Sequence, residues 1–190
     1  DGKKEGEHAA IFYRIDKFEL LEHGDFWLSE TPEKPSVGWD AVLPRICTWG
    51  HFKYKDTGFE FLFFNLHMDH IGKQARVESA LLVQQKMKEI GENLRDAFEV
   101  ADLRYATNGT FNGFDSDNYT ESRIDHVFVT PTFHILKYGV LTDSYRRMKE
   151  GNQKASVKDC PEEISIRSYE SRIPSDHFPV MVKLEVCDKN

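Results

Sequence analysis

The run Phe59-Glu60-Phe61-Leu62-Phe63-Phe64-Asn65-Leu66 constrains the fold more than any other stretch of this chain. It is almost continuously apolar, which suits a central strand buried on both faces. The turn Asp56-Thr57-Gly58 opens it, and a polar loop closes it. Between Arg76 and Leu94, residues Val77, Ala80, Val83, Met87, Ile90 and Leu94 then step by three or four. That is the single apolar stripe of a surface helix. A central strand and a packed helix call for another strand back into the sheet. None is written, because Arg95-Asp96-Ala97 follows directly.

The other segments also favour strands. His8 to Arg14 and Phe18 to Glu22 read as two antiparallel strands. Ser29 to Pro44 is a loop punctuated by Pro32, Pro35, Gly38 and Pro44, long enough to expect a functional role. Arg45 to Tyr54 alternates, with Cys47, Trp49, His51 and Lys53 on one face and Ile46, Thr48, Gly50 and Phe52 on the other. Asp96 to Ala101 predicts a short helix. Arg123 to Val129 and Phe133 to Leu141 predict a strand pair turned by Thr130-Pro131-Thr132, and Glu163 to Ile166 a short strand. The closing run alternates Val180, Val182, Leu184 and Val186 against Met181, Lys183 and Glu185.

The 190 residues suit one domain spanning 1–190. Fourteen Phe favour strands, where aromatic residues pack well. A net charge of −7 argues against non-specific coating of nucleic acid, which needs a basic face. It leaves room for a local phosphate site served by a divalent cation. Cys47, Cys160 and Cys187 match neither a zinc pattern nor a disulfide framework, and read as small hydrophobes. No apolar run is long enough to span a membrane. The compartment is unknown: the chain opens on Asp1-Gly2-Lys3-Lys4, which reads like the middle of a loop. A secreted or periplasmic location stays open if a signal peptide has been removed.

Three clusters can carry chemistry. Asn65-Leu66-His67-Met68-Asp69-His70 sits where a strand gives way to a loop, a usual place for groups that bind metal or move protons. Its plain alternative is a polar loop after a strand. Arg123-Ile124-Asp125-His126 puts a carboxylate at the start of an apolar strand, where it needs a cation, a metal or a histidine as partner. Ser175-Asp176-His177 stands at another strand entrance. If Asp125 pairs with His177 it orients that ring and favours its charged form, leaving Asp176 free for a cation.

Together with Gly109-Thr110-Phe111-Asn112-Gly113-Phe114, these motifs resemble, in order, those of the endonuclease/exonuclease/phosphatase superfamily, the DNase I-like proteins. Phe26-Trp27-Leu28-Ser29 and Pro44-Arg45 are similar to the bacterial branch related to deadenylases. The resemblance spans nearly the whole chain and is specific for the superfamily, not for a substrate. It implies an α/β (α+β) fold, a four-layer sandwich of two mixed β-sheets flanked by helices. It also implies hydrolysis of a phosphoester with Mg²⁺ or Mn²⁺. Carried over by motif, His177 meets the scissile phosphate or the nucleophile and Asp125 holds it. Asp176 lies near the metal. His67 is a second catalytic imidazole, and Arg45 and Asn112 contact substrate. Asp69 and His70 support the loop. The substrate class is open among nucleic acid, phospholipid headgroup and sugar phosphate, and a monomer is expected. Aromatic Phe26, Trp27, Trp39 and Trp49 could stack on a base or sugar, though such residues are more often core.

Other family elements are missing from this sequence. An early Asn and the chief metal-binding Glu should precede residue 1. A Gly-Asp-Phe-Asn segment, with its water-activating Asp, should fall between Leu94 and Arg95. The chain is therefore expected to lack an N-terminal portion and an internal segment near 94/95. The alternative function is a non-catalytic phosphate- or nucleic-acid-binding module on the same fold.

Overall fold

A computed structural model describes residues 8–88, 94–115, 117–118, 120–148 and 169–187. Two compact units divide the chain, residues 1–91 and residues 92–190. Strands outnumber helices in both, so the fold is a strand-rich α+β. No helix among the described residues is long and apolar enough to cross a membrane, which says nothing of β-barrels.

The first unit is built on an antiparallel sheet in the order β1 (Phe18–Trp27), β2 (Ile46–Tyr54), β3 (Glu60–Leu66). The alternation read in β2 is realised: Cys47 is buried towards Phe26, Leu28 and Val83, while Phe52 is buried and stacks on Phe61. Phe26 is thus a core residue, and Trp49 packs beside it. Cys47 is a free thiol whose burial pushes its pKa up to about 12, so it is inert.

Three expectations are corrected here. The run from Phe59 to Leu66 is not the central strand. Among the described residues it forms an edge of the sheet, and none of its residues is fully buried. Its aromatic residues instead make ring contacts, Phe61 lying 5.6 Å from Phe52 and 5.8 Å from Phe18. His8 to Arg14 forms no strand. Phe12 is 92 % exposed, and β1 takes β2 as its antiparallel partner, from Phe18↔Tyr54 to Trp27↔Ile46.

The third correction concerns the helix α1, which runs over Lys73–Lys88 and so starts before Arg76. Asp40, from the Pro- and Gly-bearing loop, supplies the reason. Its carboxylate accepts from Ala75 N at 2.6 Å and Gln74 N at 3.2 Å, satisfying amides that a helix start leaves without partners. The buried row is Ala75, Ser79 and Val83, while Val77 is 60 % exposed and Ala80 is exposed. Residues 89–93, which hold Ile90 and the approach to the 94/95 junction, lie outside the described residues.

In the second unit β7 (Phe133–Val140) is the central strand. It pairs antiparallel with β10 (Val180–Val186) and parallel with β5 (Leu103–Arg104). Both its edges are therefore taken, which corrects the expected pairing across Thr130-Pro131-Thr132. The preceding strand, β6 (Phe128–Val129), pairs instead with β4 (Arg95–Asp96). Asp96 also caps the short helix α2 (Ala97–Val100), accepting from Phe98 N at 2.9 Å. A hairpin-like pair, β8 (Tyr145–Met148) and β9 (Tyr169–Arg172), completes the unit, and Glu163 to Ile166 lies outside the described residues. The core gathers Ala97, Val129, Ile135, Tyr138, Val140, Ile173 and Phe178. Phe178 anchors the chain immediately after His177.

Candidate functional site

The second unit brings two of the sequence motifs together. His177 Nδ1 stands 2.7 Å from Asp125 Oδ2. A carboxylate only accepts, so Nδ1 carries the hydrogen and Nε2 is the nitrogen that can meet a substrate. Both side chains are partly exposed, so the pair is open to solvent.

A third motif fixes their register. Thr110 is fully buried, 0 % exposed, and its Oγ1 accepts from Ile124 N at 3.0 Å and Asp125 N at 3.1 Å. Its carbonyl accepts from Phe178 N at 2.7 Å. One residue thus holds the backbone of Asp125 and the backbone beside His177. Gly109 permits this approach, because a Cβ there would stand 2.3 Å from Thr120 Oγ1. Thr110 is not among the residues that the sequence alone singles out. The available signal is a hydroxyl inside the Gly-Thr-Phe-Asn-Gly run, which has to be satisfied once buried.

The following turn is tied to the same place. The amides of Asn112 and Gly113 donate to Asp176 O at 2.8 and 3.0 Å. Asn112 is fully buried, and its Oδ1 accepts from Phe114 N at 2.8 Å, while its Nδ2 has no partner among the described residues. Gly113 and Phe114 both have positive φ, 63° and 64°. For Gly this is free; for a bulky residue such as Phe it is a strained outlier.

A neighbouring cluster escaped sequence reasoning. Asp96 Oδ2 accepts from Arg123 Nη1 at 2.7 Å and pairs with His126 Nδ1 at 2.9 Å. Burial opposes the charge on Asp96, but the bonds from Arg123 and His126 prevail and its pKa is lowered. The Arg123 guanidinium also lies 4.1 Å from the centre of the Phe98 ring. This network holds the segment that leads into Asp125.

In the first unit, the strand-end cluster is organised by Asp69 and Arg45, both buried. Asp69 Oδ1 accepts from Gly72 N at 2.7 Å and Ile71 N at 3.0 Å, and Oδ2 from Val42 N at 3.2 Å and Arg45 Nε at 3.4 Å. The Gly72 amide, with the other backbone donors, drives its pKa far below the usual carboxylate range. Arg45 reaches His67 Nδ1 at 3.4 Å and His70 Nδ1 at 3.1 Å. Guanidinium only donates, so both rings accept through Nδ1 and carry hydrogen on Nε2. His67 therefore presents the opposite tautomer from that of His177.

Among the described residues, no group of three or more His, Cys, Asp or Glu side chains is disposed to hold a metal ion. Asp125 is engaged by His177, and Asp176 offers a single half-buried carboxylate. The described side chains do not make a complete metal site.

No family model matches the chain. Solved structures do. A mannosyl-6-phosphatase of Bacteroides thetaiotaomicron is 57% identical, with a TM-score of 0.85 over 97% of this chain and 73% of that one. An endonuclease/exonuclease/phosphatase family protein of the same organism is 57% identical, with a TM-score of 0.84 over 97% and 72%. An endonuclease/exonuclease/phosphatase of Bacteroides vulgatus is 30% identical, with a TM-score of 0.70 over 92% and 68%. The fold is thus that of the phosphoester-cleaving class. This chain belongs to the endonuclease/exonuclease/phosphatase family.

Proposed function

We propose that this protein hydrolyses a phosphomonoester of a sugar, with His177 as the catalytic imidazole and Asp125 as the residue that orients it. The observation that carries the reading is the 2.7 Å bond between His177 Nδ1 and Asp125 Oδ2. It directs Nε2 outward as a group able to move a proton, a contribution worth typically about 10²–10⁴-fold. The sugar-phosphate substrate is supported by the name of the mannosyl-6-phosphatase that this chain resembles at 57% identity.

The role of a second catalytic imidazole that the family resemblance implies for His67 belongs to the same proposal. The substrate contacts that the resemblance implies for Arg45 and Asn112, both buried, belong to the same proposal. Dependence on Mg²⁺ or Mn²⁺ belongs to the proposal, with Asp176 contributing one oxygen ligand. When bound, such an ion supplies positive charge to the phosphate oxygens. The layered sandwich and the monomeric state implied by the family resemblance belong to the same proposal.

The test is release of inorganic phosphate from mannose 6-phosphate with Mg²⁺ or Mn²⁺, with and without EDTA. Turnover abolished by EDTA and by His177→Ala supports the reading. Binding of the ligand without any turnover would replace it with a non-catalytic phosphate-binding module.

A further inference from the structure

We propose that Phe114, on the turn bound to the backbone beside His177, is the platform on which the sugar ring of the substrate lies, and so sets specificity. The proposal rests on the sugar-phosphatase reading above. Its starting point is an outlier. Phe114 has φ 64°, a conformation that a bulky side chain rarely adopts, and the residue is 64 % exposed. An exposed phenyl contributes little to the core, so folding gives no reason to hold one at a strained position. Strain of this kind persists where the surroundings impose it, and it clusters at ligand sites.

The surroundings do impose it. The buried Asn112 side chain accepts the Phe114 amide, and the amides of Asn112 and Gly113 are bound to Asp176 O. The turn that displays Phe114 is therefore fastened to the residue preceding His177. Phe111 pairs with His177 in an isolated bridge, and its ring meets the imidazole edge-on at 5.4 Å and 82°. Gly113 passes so close to the Phe111 ring that a Cβ there would touch it at 3.6 Å. Phe111 and Phe114 thus share a turn bound to the backbone that carries His177.

Neither ring carries charge, so the platform takes the part of the substrate that is not phosphate. The apolar C–H face of a pyranose suits such a surface. Asp115 and Asp117 follow Phe114 and can accept from sugar hydroxyls. The same carboxylates, in a chain of net charge −7, oppose a polyanionic strand.

The experiment compares kcat/KM for mannose 6-phosphate with kcat/KM for glycerol 3-phosphate, which has no ring. Phe114→Ala is expected to lower that ratio about tenfold, and Phe114→Tyr to keep it within about twofold. An unchanged ratio in Phe114→Ala overturns the platform. A wild-type protein that hydrolyses neither compound defeats the sugar-phosphatase reading, and the platform is then judged by binding. Saturation of the protein's aromatic protons should transfer to the pyranose protons of mannose 6-phosphate, and be lost in Phe114→Ala. No transfer in the wild type, or equal transfer in the variant, overturns it.

Discussion

Thr110→Val removes one oxygen and keeps the shape of the side chain. That oxygen accepts two backbone hydrogen bonds, from Ile124 N at 3.0 Å and Asp125 N at 3.1 Å. Each such bond contributes about 0.5–1.5 kcal/mol net, so the pair is worth about 1–3 kcal/mol. With a urea slope of about 2 kcal/mol/M, the unfolding midpoint should fall by about 0.5–1.5 M. Activity should fall further than stability suggests, because freeing the Asp125 backbone loosens the carboxylate that orients His177. Misplacement of a reacting group by ~1 Å can cost ~10²-fold, so a loss of at least about tenfold in kcat/KM is expected. Thr110→Ser keeps the acceptor and should retain most of the activity. The assays are urea unfolding followed by far-ultraviolet circular dichroism, and phosphate release. Wild-type kcat/KM in Thr110→Val would refute the reasoning, and so would a Ser variant as impaired as the Val variant.

Two further outcomes concern charge. Asp69→Asn leaves the buried Arg45 without its carboxylate and should destabilise the protein by about 3 kcal/mol in chemical unfolding. Because the Asp69 pKa is depressed when folded, its contribution is present above the ordinary 3.8 and lost as pH falls below it. The gap between wild type and variant should therefore narrow on acidification. His134 behaves oppositely. Asp102 on Nε2 and Glu185 on Nδ1, at 3.0 and 3.1 Å, both raise its pKa above the ordinary 6.5. Its stabilising contribution is full below 6.5 and lost as pH rises through the raised value. The urea midpoint of the wild type should exceed that of His134→Asn at about pH 6 and approach it at about pH 9.

The sequence made the Asp125–His177 contact legible because a carboxylate at the mouth of an apolar strand needs a partner, and few were on offer. It also made the alternation of β2 and the short helix capped by Asp96 legible, since both are local. What it hid depends on distant chain. The hydroxyl of Thr110 gains its role only when Ile124 and Asp125 fold onto it. The start of α1 is set by Asp40, more than thirty residues earlier. Its buried face includes Ser79 and leaves Val77 outside, because small side chains let the helix approach the sheet and apolar ones are tolerated in solvent. The Phe-rich β3 looked central for the same reason. Ring contacts on a sheet edge and burial on both faces ask for the same residues.

The central claim is that His177 and Asp125 act as one catalytic unit. The most direct measurement is a double-mutant cycle on kcat/KM for phosphate release, using His177→Ala, Asp125→Asn and the double variant. Residues that work as a unit are strongly non-additive. The account expects a loss of about 10²–10⁴-fold in His177→Ala and almost no further loss on adding Asp125→Asn. Losses that multiply, or a His177→Ala variant with wild-type turnover, would contradict it.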